Sequence, residues 1–362
     1  MDILELIRLA SEKHTSDVHI VAFGPPIFRI HGALTPQTDI PPLTSDDIAR
    51  WLAQITTEEE RARFEHDLEL DFGYTVPEVG RIRCNAAKQR GTVSLVIRLL
   101  PGHAPSLEQL GLPDVCKDLI RKPRGLVMVC GPTGSGKSTT LNAMINYLNG
   151  IEKRRVVTIE DPIEFVYTND KCTITQRELG GDTKSFAEAL RHVLRQDPDV
   201  ILVGEMRDLE TAAAAITLAE TGHLLLTTGH APSASQAIER IVDIFPPHER
   251  PLVQSRLASL LVGILCQALV PKVGGGRVAA IEIMLGTPAV KNLIRDGKIH
   301  QIPNIMLTQS RIGMVLLDNA LLNLYKKGLI SRESVFDFCN DPEEVGKVLG
   351  VSPQGANSAM SL

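Results

Sequence analysis

Eight consecutive residues, Gly131-Pro132-Thr133-Gly134-Ser135-Gly136-Lys137-Ser138, carry the spacing G-x-x-x-x-G-K-S, and Thr139 follows. Glycines let backbone N–H groups converge on phosphate oxygens without Cβ clashes, and a helix beginning here adds the positive end of its dipole. Lys137 is then expected to reach the β/γ-phosphates and Ser138 to sit on Mg²⁺. The chemistry is binding of a nucleoside triphosphate. The alternative is a glycine turn that binds nothing. The flanks argue against it: the apolar run Leu126 to Cys130 reads as a buried parallel strand and Thr139 to Leu148 as a helix.

Three further groups could act on a bound triphosphate. A strand ending in Thr158-Ile159-Glu160-Asp161-Pro162-Ile163-Glu164-Phe165 puts carboxylates where ligands bind in parallel sheets. Glu164 there could hold a Mg²⁺ water or orient the attacking water; a strand-end turn with solvated acids is the plainer reading. The run Val200-Ile201-Leu202-Val203-Gly204-Glu205 is Walker B-like, with Gly204 at the usual aspartate position. Mg²⁺ would therefore lean on Ser138 and outer-shell contacts, and Glu205 is the candidate to polarise water for in-line attack. His223 and His230 bracket the strand Leu224 to Thr228. His230 stands at its C-terminal end, where it could sense the γ-phosphate, and the spacing gives the two histidines distinct roles. Each could equally be a structural residue.

Arginines complete the set. Arg81 and Arg83 share one strand face by period two, and Arg98 ends another strand. Their guanidinium forks suit arginine fingers supplied from another domain or subunit, and they suit ordinary surface salt bridges equally well.

The elements that must position these residues fall into two patterns. Residues 1–98 read as a small mixed α/β unit. It opens with an amphipathic helix carrying Ile3, Leu6, Ile7 and Ala10, followed by strands at Val18 to Val21 and Ile27 to Ile30 with a turn at His31-Gly32. A capping box, Thr44 with Asp47, precedes a helix through Ile48, Trp51, Leu52 and Ile55, and strands follow at Leu70 to Thr75, Arg81 to Ala86 and Thr92 to Leu99. Residues 99–123 read as a linker. From 124 to 287 strands alternate with helices, the mark of a parallel α/β domain, with a last strand at Val278–Met284 after the flexible turn Gly274-Gly275-Gly276. The apolar stretch Leu257 to Val270, shorter than the ~20 residues of a spanning helix, reads as a buried helix. Residues 288–350 read as helical, with segments at Ala289 to Arg295, Leu316 to Tyr325 and Arg332 to Phe338, and 351–362 as a disordered tail.

Composition narrows the class. A chain of 362 residues suits about two domains. The net charge of −5 lacks the basic excess of a nucleic-acid motor, so no nucleic-acid partner is expected. Cys84, Cys116, Cys130, Cys172, Cys266 and Cys339 are scattered without a C-x-x-C pair, which fits reduced thiols in a cytoplasm and no zinc site. Acids in the first eight residues argue against a signal peptide, so a soluble, cytoplasmic protein is expected.

Taken together, these blocks resemble the secretion-type (type II/IV) ATPase superfamily, and most closely its PilT-like branch of pilus-retraction motors in twitching motility. The resemblance runs from Ser16-Asp17-Val18-His19 to Gly328-Leu329-Ile330-Ser331. It is carried by Gly131 to Thr139, Thr158 to Phe165, Arg195 to Asp208, Thr221 to His230, Arg240 to Pro246 and Gly274 to Glu282. It implies a PAS-like N-terminal domain, a RecA-like P-loop NTPase domain with C-terminal helices, ATP and Mg²⁺ as ligands, and a homohexameric ring. It also implies site roles for Glu164, Glu205, His223, His230, Arg83 and Arg98. The implied partners are an inner-membrane pilus platform protein and related pilus motor ATPases, with the chain peripheral at the inner membrane. The family's histidine box reads close to T-L-H-T, whereas Thr228-Gly229-His230-Ala231 stands here. Its A-I-R-N-L-I-R-E block appears as Ala289-Val290-Lys291-Asn292-Leu293-Ile294-Arg295-Asp296. Absence of the four-cysteine motif favours retraction over extension. The alternatives are an assembly or secretion motor of the same superfamily, or a non-hydrolysing nucleotide-dependent regulator of a partner motor.

Overall fold

A computed structural model describes residues 1–30, 32–100 and 105–351 of the chain. The turn residue His31, the first linker residues after position 100 and the expected tail from Ser352 lie outside them. By its contacts the chain divides into two compact units, Met1–Ala104 with Pro162–Tyr167, and Pro105–Asp161 with Thr168–Leu362. The segment that carries Glu164 thus groups with the N-terminal unit.

In the first unit three helices each open on a capping box. These are α1 (Ile3–Glu12, Asp2 with Glu5), α2 (Ser45–Ile55, Thr44 with Asp47) and α3 (Glu58–Asp67, Thr57 with Glu60). Each box satisfies first-turn N–H groups and contributes on the order of 1 kcal/mol. The strands are β1 (Thr15–Ile20), β2 (Ile27–Ile30), β3 (Ala33–Pro36), β4 (Glu69–Val76), β5 (Gly80–Gln89) and β6 (Thr92–Leu99). They form an antiparallel sheet in the order β3-β2-β1-β6-β5-β4. On β6, Val93, Leu95 and Ile97 point into the core with Trp51, Ile48 and Leu6, while Ser94, Val96 and Arg98 take the opposite face.

The second unit begins with α4 (Val115–Ile120), β7 (Gly125–Cys130), α5 (Lys137–Ile151), β8 (Arg155–Glu160) and β9 (Thr173–Glu178). It continues through α6 (Phe186–Val193), β10 (Val200–Glu205), α7 (Leu209–Glu220), β11 (Leu224–Gly229), α8 (Ala234–Ile244) and α9 (Arg250–Leu260). The hairpin strands β12 (Leu261–Pro271) and β13 (Arg277–Leu285) follow. The sheet order is β13-β12-β7-β11-β10-β8-β9, parallel except for β13. The mixed α/β class matches the expectation.

Two expectations need correction. The stretch Leu257 to Val270 is not one buried helix. Helix α9 ends at Leu260, and residues from Leu261 onward form β12, parallel to β7 on one side and antiparallel to β13 on the other. A segment buried on both faces reads as continuously apolar, and that pattern does not separate strand from helix. The strand at Val278–Met284 exists, but it runs antiparallel as the return of a hairpin. The triple glycine makes that turn, with φ values of 88°, 103° and 78° and a Lys272 N–H to Gly276 C=O bond of 3.0 Å.

The C-terminal helices are α10 (Pro288–Arg295), α11 (Ile302–Thr308), α12 (Leu317–Lys326), α13 (Arg332–Phe338) and α14 (Pro342–Leu349). Leu321, Leu322, Val335 and Val345 pack with Val270 and Ala280 of the hairpin. All six cysteines are free thiols, five buried and Cys339 half-buried. Among the described residues no helix is long and apolar enough to cross a membrane.

Candidate functional site

The phosphate loop joins β7 to α5, as its sequence requires. Gly131 has φ 141°, and a Cβ there would lie 2.3 Å from the Gln267 carbonyl oxygen and 2.6 Å from Ser135 Oγ, so only glycine fits. Gly136, at φ 88°, is the N-cap of α5, and a Cβ there would lie 2.8 Å from Gln267 Nε2. The buried Lys137 ammonium donates to the carbonyls of Gly131 (3.0 Å) and Pro132 (2.9 Å), folded back over its own loop. The first-turn backbone of α5, this ammonium and the buried, unpartnered Ser135 Oγ form a donor set that fits a polyphosphate.

Gln267 was visible in the sequence only as an interruption of an apolar run. In the fold it is the loop's buttress. From β12 its Nε2 donates to the Ser135 carbonyl at 2.6 Å, and its Oε1 accepts from Thr140 Oγ1 at 2.8 Å, with the side chain buried. A lone amide inside a doubly buried strand is the signal that could have found it, because such a group must be hydrogen-bonded.

Two strands away, β10 ends at Glu205, about 10 Å from the end of β7 at the usual strand spacing. The pairing with β11 shifts register between Val203 and Glu205, and the Thr228 hydroxyl donates to the Gly204 carbonyl across the irregularity. Glu205 Oε1 meets Arg207 Nε at 2.6 Å, and Oε2 stands 3.4 Å from His230 Nε2. His230 and Glu205 are thus brought together, and Arg207, only two residues beyond the strand end, joins them. These three line a cavity of about 250 Å³ with Met128, Cys130 and Gly229. A Cβ on Gly229 would lie 2.8 Å from Cys130 Sγ, so the spot opposite this thiol holds no side chain. On β8, Glu160 is buried and accepts from Thr158 Oγ1 at 2.6 Å and Gln176 Nε2 at 3.2 Å.

His223 is not gathered here. It precedes β11, so within one chain about 20 Å of strand separates it from His230. Its Nδ1 lies 3.0 Å from both the Leu218 carbonyl and Thr221 Oγ1, at the C-terminal end of α7.

The arginines of the first unit form a row. Gly73, Arg83, Arg98, Asp17 and Arg29 occupy consecutive positions across β4, β5, β6, β1 and β2. Arg98 Nε donates to Asp17 Oδ1 at 2.8 Å, and Arg29 Nε lies 3.8 Å from Oδ2. Burial alone would raise the Asp17 pKa, but hydrogen bonds from Arg98 and Ser16 outweigh it and hold the carboxyl below its ordinary range. Arg81 shares the face by period but lies over Gly73, with Nη1 3.3 Å from Thr75 Oγ1.

Another polar residue that sequence reasoning did not single out is Glu282 on β13. Its buried carboxylate accepts from the Ala234 N–H at 2.7 Å and the Leu317 N–H at 3.2 Å, tying together the first turns of α8 and α12. Burial pushes its pKa up, against the pull of those two donors.

A family model described as type II/IV secretion system protein matches residues 2–308. The chain is 47% identical over 343 residues to the type IV pilus retraction ATPase PilT of Pseudomonas aeruginosa, covering 95% of this chain and 99% of that one. It is 43% identical to a twitching motility protein of Neisseria gonorrhoeae, over 92% of this chain and 89% of the relative. Among solved structures, the pilus retraction motor PilT with bound ADP superposes with a TM-score of 0.91 at 44% identity, covering 96% of this chain and 99% of that one.

Proposed function

We propose that this chain, which belongs to the type II/IV secretion system protein family, is an ATPase that works as a homohexamer to power type IV pilus retraction and twitching motility. The observation that carries the reading is the pairing of a buttressed phosphate loop with a carboxylate two strands away, held between Arg207 and His230. The first turn of α5 and Lys137 bind the triphosphate. Binding draws the Lys137 ammonium off the Gly131 and Pro132 carbonyls and onto phosphate oxygens. Glu205 accepts a proton from the attacking water and aims it at the γ-phosphorus. His230, beside it, follows whether the γ-phosphate is present.

Mg²⁺, held by Ser138 and, through water, by Glu164, would offset charge on the β/γ-oxygens. Arg83 and Arg98 serve as arginine fingers from the N-terminal unit of a neighbouring subunit. The Arg98–Asp17 pair gives one of them a fixed resting partner. In a ring, sequential binding and release around such shared sites does mechanical work on an inner-membrane platform protein, at which the motor sits peripherally, alongside related pilus motor ATPases.

The test is ATPase rate against protein concentration, with light scattering on the same samples. Activity is expected to rise with formation of a hexamer. Lys137→Ala should lose nucleotide binding, whereas Glu205→Gln should bind ATP normally and hydrolyse it about 10²–10⁴-fold more slowly. A hexamer that binds ATP tightly with negligible turnover would point instead to a nucleotide-dependent regulator.

A further inference from the structure

We infer that Arg207 is a positioning residue for Glu205, fixing the orientation in which that carboxylate meets the attacking water. The inference rests on the assignment of Glu205 made above. Glu205 is the last residue of β10, so its backbone is fixed while its own side-chain torsions are not. The contacts supply what the backbone leaves open. Arg207 Nε engages Oε1 at 2.6 Å, and His230 Nε2 faces Oε2 at 3.4 Å, so the plane of the carboxylate is defined at two points. A carboxylate offers about four acceptor positions, which leaves lone pairs on both oxygens for water.

The backbone that carries Arg207 is held on both sides. Its neighbour Asp208 is the N-cap of α7, accepting from Thr211 N–H and Thr211 Oγ1, each at 2.8 Å. The arginine therefore hangs between a strand end and a capped helix start, two rigid anchors. Its side chain is 72% exposed, against 21% for Glu205. An ion pair with one partner so exposed adds little to folding stability, so its effect is geometric and local.

The experiment compares full-length wild type with Arg207→Ala, Arg207→Lys, Glu205→Gln and the double variant Arg207→Ala/Glu205→Gln. Hydrolysis is read in steady state and in single turnover, alongside fluorescent ADP binding and thermal melting. Arg207→Ala should lower kcat about 10–100-fold, the scale of a misplaced catalytic group, with KM, ADP affinity and Tm essentially unchanged. Arg207→Lys should recover most of the loss, because the contact is a single charged N–H. In the Glu205→Gln background Arg207→Ala should add nothing. The inference is overturned if Arg207→Ala turns over within twofold of wild type, if the loss appears in KM, or if it is equally large without Glu205. Normal turnover by Glu205→Gln alone would instead remove the underlying assignment of the base, whatever Arg207→Ala does.

Discussion

Replacing Gln267 with leucine should unfasten the phosphate loop while keeping the core nearly filled. The substitution deletes a 2.6 Å bond to the Ser135 carbonyl and a 2.8 Å bond from Thr140 Oγ1, both buried. A neutral hydrogen bond is worth about 1 kcal/mol net, and a buried polar group left without a partner costs about 1–3 kcal/mol. Thr140 can turn its hydroxyl to the Gly136 carbonyl one turn back in α5, so its share falls at the low end. The Ser135 carbonyl has no such escape within its own turn. The total is about 2–4 kcal/mol, which for a unit of this size is a fall in Tm of roughly 4–16 °C. If about a third to a half of that loss falls on the binding step, ADP affinity weakens about tenfold. Melting curves at several ADP concentrations and titration with a fluorescent ADP analogue measure both effects. Thr140→Val, which spares the Ser135 bond but leaves the buried Gln267 Oε1 without a donor, should cost about 1–3 kcal/mol of stability and bind ADP normally. The reasoning fails if Gln267→Leu melts with wild type and keeps its ADP affinity, or if Thr140→Val weakens binding equally.

Gly131→Ala should abolish ADP binding and lower stability by at least about 2 kcal/mol, because its Cβ would press on the Gln267 carbonyl 2.3 Å away at a left-handed φ. Gly134→Ala, at φ 78° with open space around it, should cost only the conformational strain, about 1–2 kcal/mol; isothermal titration with ADP and urea melts separate the two. Glu282→Gln should destabilise by about 1–3 kcal/mol, since an amide cannot accept at both positions from the Ala234 and Leu317 N–H groups. Because burial raises the folded pKa of Glu282 above its ordinary value near 4.5, its stabilising share is complete below that value and declines as pH rises through the folded one. The gap between wild type and Glu282→Gln should therefore narrow as urea melts are repeated from pH 4 upward.

The sequence made the phosphate loop and its flanking elements readable because the loop's glycines, its lysine and the strand before it leave no other packing. Period-two alternation likewise made β6 readable, with Arg98 on its solvent face. Other elements carry no such pattern. Helix α3 buries only Phe64 of its ten residues, so its start is marked by a capping box and its body by nothing periodic. Strand β3 is exposed at every position, on the edge of its sheet, and so shows no alternation. Strand β12 had the opposite problem: buried on both sides, it shows no polar face to reveal its period. The Glu205–His230–Arg207 grouping depends on a register shift between β10 and β11, a long-range property that no local spacing encodes. Gln267 and Glu282 were hidden for a related reason. Each is a single polar residue whose meaning comes from helices and loops remote in the chain.

The placement of the thiols has a practical consequence. Cys84, Cys116, Cys130, Cys172 and Cys266 are buried. Burial pushes Cys116 up to about 12 and, with Asp318 nearby, the half-buried Cys339 up to about 11. Burial also raises Cys84 and Cys172, and the hydrogen bond with Cys130, followed by burial, raises Cys266. Since the thiolate is the form that reacts, Cys84, Cys116, Cys172, Cys266 and Cys339 are slow toward maleimides at neutral pH, and burial shields Cys130 from the reagent. One new cysteine at an exposed serine such as Ser255 on α9 would then take a dye or spin label in an otherwise natural background. The reporter can be sited by the motion to be followed, without first stripping the chain of the thiols it already has.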